Sequence, residues 1–443
     1  MSEQIDLTDY ADSDSEKGSE WVEKSLGEIF DSIYSGGTPK KGVEEYYGGN
    51  IPFVKIEDLN KQQGDGVTTA ENYITEQALD ETSTRAFEPG TLLMTIYGSL
   101  AETAMVRSRV ATNQGILGLW GAEEDNVLYV RYAIDNTQSK LASLSRQTTQ
   151  ANLGKGIVKK HKIPSPPLPE QRKIATVLYT VDRAIEKTKK ILDQSRQIKK
   201  GVVQNLMTKG AQQHTSYEDY RLGPIDLTKP KEWDLRSFGE FSFRIQDGPH
   251  ITPDYVDEGV PFVSSQNVNP FGEEFDYSQY EKYISEGTYE EINQNCRPEK
   301  GDLIISRRAT IGPTQLIRHD NQFGFFVGVA VIKTDDTVYN PFLEQLMNWS
   351  VMNKLWHLKS PGSTMKTLNL GTIKDQKVPL PSIQEQKEIV EIIGSIDEVI
   401  ANNQRYKESL QYLKRGLQRD LLSGTVRTTD TNIEVPDEIA QHG

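Results

Sequence analysis

The chain of 443 residues has one cysteine, Cys296. This excludes a disulfide framework and a cysteine-based zinc site, and favours a reducing compartment, the cytoplasm. No apolar run approaches the ~20 residues that cross a bilayer, and the first residues lack the basic-then-apolar layout of a secretion signal. The histidines, His161, His214, His250, His319, His357 and His442, are scattered singly. None forms a His-Glu-x-x-His motif, so no metal is expected on this chain. There is no Gly-x-x-x-x-Gly-Lys-Ser/Thr phosphate loop; Gly154-Lys155-Gly156 lacks both the upstream glycine and the following hydroxyl. Ser165-Pro166-Pro167-Leu168 comes near the Pro-Pro-aromatic motif of amino-methyltransferases. It ends in leucine, no Gly-rich cofactor loop precedes it, and it reads as a linker. Carboxylates are plentiful but unpaired by any motif. The sum of these absences is a chain that binds and positions, with no catalytic residue and no cofactor of its own. Positive charge is also scarce. The net charge of −14 argues against a generic nucleic-acid binder.

What is present is a duplication. Pro-Leu-Pro-Glu-Gln-Arg-Lys-Ile at 167–174 opens a long charged run, and Ser-Ile-Gln-Glu-Gln-Lys-Glu-Ile at 382–389 opens another, offset by 215 residues (170 to 385). The offset holds along both runs. Ile174, Leu178, Val181, Ile185, Ile191, Ile198, Val202 and Leu206 match Ile389, Ile393, Ile396, Ile400, Tyr406, Leu413, Leu417 and Leu421. Such a length exceeds the ~20–50 residues of a solenoid repeat and marks a duplicated module. Upstream the likeness is fainter but ordered. Trp21 with Leu26-Gly27-Glu28 matches Trp233 with Phe238-Gly239-Glu240, and Ile51-Pro52-Phe53-Val54 matches Val260-Pro261-Phe262-Val263. Scaffold positions agree while the loops between them differ.

The pattern predicts a mixed α/β class: two α/β globular domains joined by two long helices that form an antiparallel coiled coil with a pseudo-twofold axis. Residues 1–20 read as a disordered acidic lead-in, 21–166 as the first globular domain and 167–212 as a helical arm. Residues 213–381 read as the second domain, 382–426 as the second arm and 427–443 as a flexible tail. Strands are expected at 91–97, 115–120, 303–306 and 325–333, and helices at 127–144 and 341–359. Each arm would span ~60 Å at 1.5 Å per residue. Its apolar stripe is narrow, so it needs a partner along its seam. Thr188 and Asn403 interrupt that stripe with polar side chains. Two basic stretches, 138–168 and 351–377, precede the arms at matching places.

The ordered set, found twice, resembles the specificity subunit of type I restriction-modification systems. Its marks are a Trp and a Leu/Phe-Gly-Glu segment, a Pro-Phe-Val strand, a Gly-turn into an apolar strand, and a Glu-Gln pair opening a long helix. The resemblance implies two target-recognition domains, each reading half of a bipartite double-stranded DNA sequence. It implies helical spacers that set the gap and dock two adenine-N6 methyltransferase subunits, with Glu170, Gln171, Glu385 and Gln386 at the docking or spacer positions. Restriction subunits would join that core. S-adenosylmethionine, ATP and magnesium would belong to those partners, and no membrane is implied. The alternative is a duplicated scaffold that binds proteins without reading DNA.

Amide, hydroxyl and cationic side chains are what base edges and phosphates require. On that ground the first domain offers Gly37, Thr38 and Lys40, then Tyr97 and Ser99, then Gln147, Thr148, Thr149, Gln150 and Asn152. The second offers Arg244 and His250, then Ser265, Gln266 and Asn267, then Ser306, Arg307 and Arg308, then Ser363, Thr364 and Lys366. Arg307 and Arg308 stand out, because arginine to guanine is the commonest specific contact.

Overall fold

The computed structural model describes residues 21–61, 66–147, 152–250, 252–268, 282–294, 296–360 and 366–441. The chain forms two compact units. Unit 1 joins residues up to 191 with 403–443, and unit 2 holds 192–402. Each therefore combines one globular domain with half of each long helix. Those helices run unbroken over Leu168–Lys209 and Ile383–Leu422.

Unit 1 carries a four-stranded sheet in the order Ser32–Ser35, Ile116–Trp120, Leu92–Thr95, Thr103–Met105. A second sheet orders Asn72–Ile74, Tyr47–Val54, Val110–Thr112, Ala86–Phe87. Unit 2 repeats the first sheet as Ser242–Asp247, Val329–Thr334, Leu303–Ser306, Thr314–Leu316, and the second as Tyr283–Ile284, Val260–Val263, Gly324–Phe325. Leu92, Leu93 and Met94, like Leu303, Ile304 and Ile305, are buried on both faces, which is why these strands read as unbroken apolar runs. The expected strand at 325–333 divides in two around Phe326, Val327 and Gly328. Each expected helix is also two, Val127–Asn136 with Gln138–Ser143 and Asn340–Asn348 with Ser350–Leu358. Unit 2 adds a hairpin, Tyr217–Leu222 with Ile225–Pro230.

The arms pair antiparallel within each unit. In unit 1, Asp182 meets Lys414 at 2.6 Å; in unit 2, Asp397 meets Lys199 at 2.5 Å. Each pair is the image of the other under the 215-residue shift. Ile174, Leu178, Leu421 and Leu422 enter the unit 1 core, and Leu206, Met207, Ile389 and Ile393 the unit 2 core. The expected seam fails at its middle. Ile198, Tyr406 and Leu413 are exposed, while Leu192 and Leu410 are buried. A straight α-helix drifts ~20° per heptad against a seven-residue repeat, so positions kept at that spacing leave the seam. Thr188 is buried, but its hydroxyl donates to Ala184 on its own helix at 2.7 Å. It fixes no register across the pair. No described helix is long and apolar enough to cross a membrane.

Two glycines of the first arm should respond oppositely to alanine. Gly201 is helical with open space where a Cβ would go, so Gly201→Ala should stabilise by roughly 0.5–1 kcal/mol. Gly210 closes the helix at φ +83°, and a Cβ there would lie 2.3 Å from Glu385 Oε1. Gly210→Ala should lose about 1–2 kcal/mol from the left-handed backbone alone, before the collision is counted. Urea unfolding midpoints read both.

Candidate nucleic-acid interface

The Glu-Gln pairs, expected at docking or spacer positions, are inward-facing. Glu170, Gln171, Glu385 and Gln386 are all nearly inaccessible to solvent. Glu170 accepts from Trp21 Nε1 at 3.1 Å, from Arg427 Nε and Nη2 at 2.8 Å each, and from the Thr428 amide at 3.2 Å. Glu385 accepts from Trp233 Nε1 at 2.9 Å, from the amides of Ala211 and Gln212 at 3.0 and 3.3 Å, and meets His214 Nε2 at 2.9 Å. Gln171 accepts from the Asn126 amide at 2.8 Å and donates to Asp125, Ser165 and Pro166. Gln386 accepts from the Tyr339 amide at 2.8 Å and donates to Pro381. These side chains bind the domain to its helix and leave little to offer a second protein. Residues 427–441, expected as a flexible tail, are part of this construction. Arg427 clamps Glu170, and Ile439 is buried in the unit 1 core while its carbonyl accepts from Asn126.

The loops selected for DNA contact do converge in unit 1. The Thr38 hydroxyl donates to Gln114 Oε1 at 2.6 Å. Gln114 and Tyr97 share a shallow cleft with Ile56, Asn113 and Gly115. Tyr97 bridges to Asn152 by backbone pairing, and Asn152 Nδ2 reaches the Tyr97 hydroxyl at 3.5 Å. Lys40 and Ser99 are exposed nearby in sequence, whereas Gly37 is buried and serves as packing: a Cβ there would meet Ser83 O at 2.6 Å. Thr148, Thr149 and Gln150 lie outside the described residues, as does the Gln147 side chain. Single-sequence reading missed Gln114 and an aromatic–cation group beside these loops. Arg85 Cζ and Lys155 Nζ sit 4.6 and 4.9 Å from the Tyr34 ring centroid, and all three are exposed. The strand alternation that turns Ile33 inward and Tyr34 outward was the available signal.

Unit 2 repeats the frame with other side chains. The Ile96 amide donates to Gly115 O at 2.8 Å, and the Arg307 amide to Gly328 O at 2.7 Å. The amides of Leu153 and Leu368 return to Ile96 O and Arg307 O, each at 3.0 Å. Tyr97 and Arg308 make the matching bridges, to Asn152 and Thr367. Arg307 thus occupies the inward place of Ile96, and Arg308 the outward place of Tyr97. That corrects the strongest expectation. Arg307 is buried, its Nη1 pairs with Asp247 at 2.7 Å and its Nε donates to Leu368 O at 2.7 Å. Ser306 is wholly buried, and Ser265 spends its hydroxyl on Gly328 O. Asn267 caps the Ser264 amide at 2.9 Å. Arg244, His250, Gln266 and Lys366 are exposed, and Arg308 is partly so; Ser363 and Thr364 lie outside the described residues. Among the described residues no His, Cys, Asp and Glu group could hold a metal.

Comparison with known proteins gives a consistent result. A family model described as type I restriction modification DNA specificity domain matches residues 18–194 and 230–412. The MjaIX specificity subunit of Methanocaldococcus jannaschii is 24% identical over 421 residues, 93% of this chain and 94% of that protein. The putative MjaX specificity subunit of the same organism is 29% identical over 288 residues, 64% of this chain and 63% of that protein. The EcoBI specificity subunit of Escherichia coli is 24% identical over 314 residues, 68% of this chain and 65% of that protein. The crystal structure of a type I system S subunit from M. genitalium superposes with a TM-score of 0.55 at 16% identity, covering 91% of this chain and 96% of that one.

The buried carboxylate of unit 1 generates a pH prediction. Burial would raise the Glu170 pKa, but the bonds from Arg427, Thr428 and Trp21 outweigh it and hold the group below the usual glutamate range. Its contribution is therefore fully present above about pH 4.3, the unperturbed value, and is lost as pH falls through the lowered folded value. Glu170→Gln should cost on the order of 2–3 kcal/mol at pH 7. It should also flatten the loss of stability between pH 5 and acid, relative to the wild type, in unfolding curves followed across that range. Parallel pH profiles for the two proteins would remove the argument.

Proposed function

Since the chain belongs to the type I restriction modification DNA specificity family, we propose that each unit reads one half of a bipartite, asymmetric double-stranded DNA target. One observation carries this reading. In both units the same backbone frame carries different side chains: Tyr97 and Gln114 are exposed in one, while in the other Arg308 is partly exposed and Val327, at the place of Gln114, is buried. A shared frame with divergent side chains is what two readers of unlike half-sites require. Lys155, Lys159 and Lys160 in unit 1, and Lys354, Lys366 and Lys374 in unit 2, are exposed on the expected basic stretches and suit a phosphate backbone.

In this reading the chain performs no catalysis. Two adenine-N6 methyltransferase subunits dock on the helical arms, restriction subunits join through them, and S-adenosylmethionine, ATP and magnesium are theirs. With the Glu-Gln pairs buried, the docking face moves elsewhere on the arms. The second long helix exposes Tyr406 and Leu413 in unit 1, seven residues apart and 55% and 48% exposed. That pair suits a methyltransferase helix laid beside it. The continuity of both helices supports the further reading that they set the gap between half-sites.

Two experiments test these statements. Replacing residues 21–162 with the matching part of a relative should change one half-site in the cellular methylome and leave the other half and the gap intact; alteration of both halves would overturn independent reading. Four residues inserted after Lys190 add ~6 Å of helix at 1.5 Å per residue. Duplex DNA rises ~3.4 Å per step, so the gap should lengthen by about one or two base pairs. An active complex that kept its original gap would show that the arms do not measure it.

A further inference from the structure

We infer that Arg308 is the side chain through which unit 2 reads a guanine, and that Arg307 beside it positions but does not read. The inference rests on the DNA-reading function proposed above and assigns one base class to one residue.

The two arginines are adjacent and opposite in state. Arg307 is satisfied within the protein, by Asp247 and by Leu368 O. Arg308 Nε is buried and has no hydrogen-bond partner, and no acid pairs with this guanidinium among the described residues. With Nε enclosed, the donors that a ligand could meet are the two terminal nitrogens, which have no bonded partner among the described residues. The surrounding backbone fixes where that ligand must come. Arg307 is tied by its amide to Gly328 O and by its carbonyl to the Leu368 amide. Arg308 bridges to Thr367, and Ala309 follows at φ +59°, the left-handed conformation that Gly98 adopts in unit 1 at φ +66°. Gly328 faces the base of the Arg308 side chain, where a Cβ would lie 3.7 Å from Arg308 Cβ and 2.5 Å from Ser265 Oγ. The result is a planar fork on a rigid strand end. That is the donor geometry which matches O6 and N7 of guanine in the major groove. Unit 1 holds Tyr97 at this place and so lacks the fork.

The test is the adenine methylome of source cells carrying Arg308→Ala, Arg308→Lys or Arg307→Lys in the chromosomal gene. Both Arg308 variants should make a single guanine position degenerate in one half-site, with discrimination falling about 10–100-fold, while the other half and the gap hold. Arg307→Lys should lower methylation evenly and keep the motif. A phosphate contact predicts otherwise: Arg308→Ala would weaken methylation at every site, Arg308→Lys would restore it, and the motif would never change. That result overturns the inference, as does an unchanged motif and level in both Arg308 variants, or loss of the guanine in Arg307→Lys alone. A wild-type methylome with no bipartite motif would overturn the DNA-reading function itself, and this inference with it.

Discussion

A buried carboxylate in the first turn of each long helix is the constraint on which the rest of the molecule depends. An ionised glutamate taken out of water needs several donors, and leaving it unpaired costs several kcal/mol. The donors at Glu385 come from separate parts of unit 2. Trp233 leads into the globular domain, and Ala211, Gln212 and His214 follow the end of the other helix. At Glu170 the donors are Trp21 and the turn carrying Arg427 and Thr428. One charge is satisfied only when the domain is docked and the two helices lie antiparallel. Because the same carboxylate draws donors from both, helix pairing and domain docking reinforce one another within each unit.

A domain anchored in this way can vary its rim without moving its frame. The hydrogen bonds that position residues 96 and 307 are main-chain bonds and are indifferent to the side chain carried. The loop that follows has two left-handed residues in each unit, Gly98 with Ala101 and Ala309 with Gly312. Glycine and alanine have exchanged places, yet both positions keep φ above zero. Alanine there costs about 1–2 kcal/mol, so the surroundings, not residue preference, hold the turn. Rigidity at the loop base is what allows a side chain at 97 or 308 to be aimed.

How much of this could be read in the sequence depended on whether a feature repeats or must be seen folded. The duplication, the two long helices and the apolar strands were legible because periodicity and the 215-residue offset are properties of the chain itself. The direction of a side chain was not. Arg307 and Arg308 are equivalent as letters, and only the backbone pairing shows that one faces the core. The docking or spacer role of the Glu-Gln pairs came from the family resemblance and said nothing of burial. Their partners lie about 150 residues away in Trp21 and Trp233, beyond any local pattern. The seam was misplaced at Ile198 and Leu413 because a fixed heptad count carries positions off the contact face wherever a helix keeps 3.6 residues per turn.

The acidic balance, at first an argument against nucleic acid, takes a different meaning once positions are known. Several acids are spent internally, as in Asp125 with Lys24, Glu344 with Arg318 and Asp302 with Lys333. The excess that remains repels a phosphate backbone except where exposed lysines and arginines offset it. Non-specific affinity for DNA comes almost wholly from phosphate neutralisation, whereas base contacts discriminate. Discrimination is a difference between affinities. Under the proposed function, suppressing the non-specific term widens that difference as surely as strengthening the specific one.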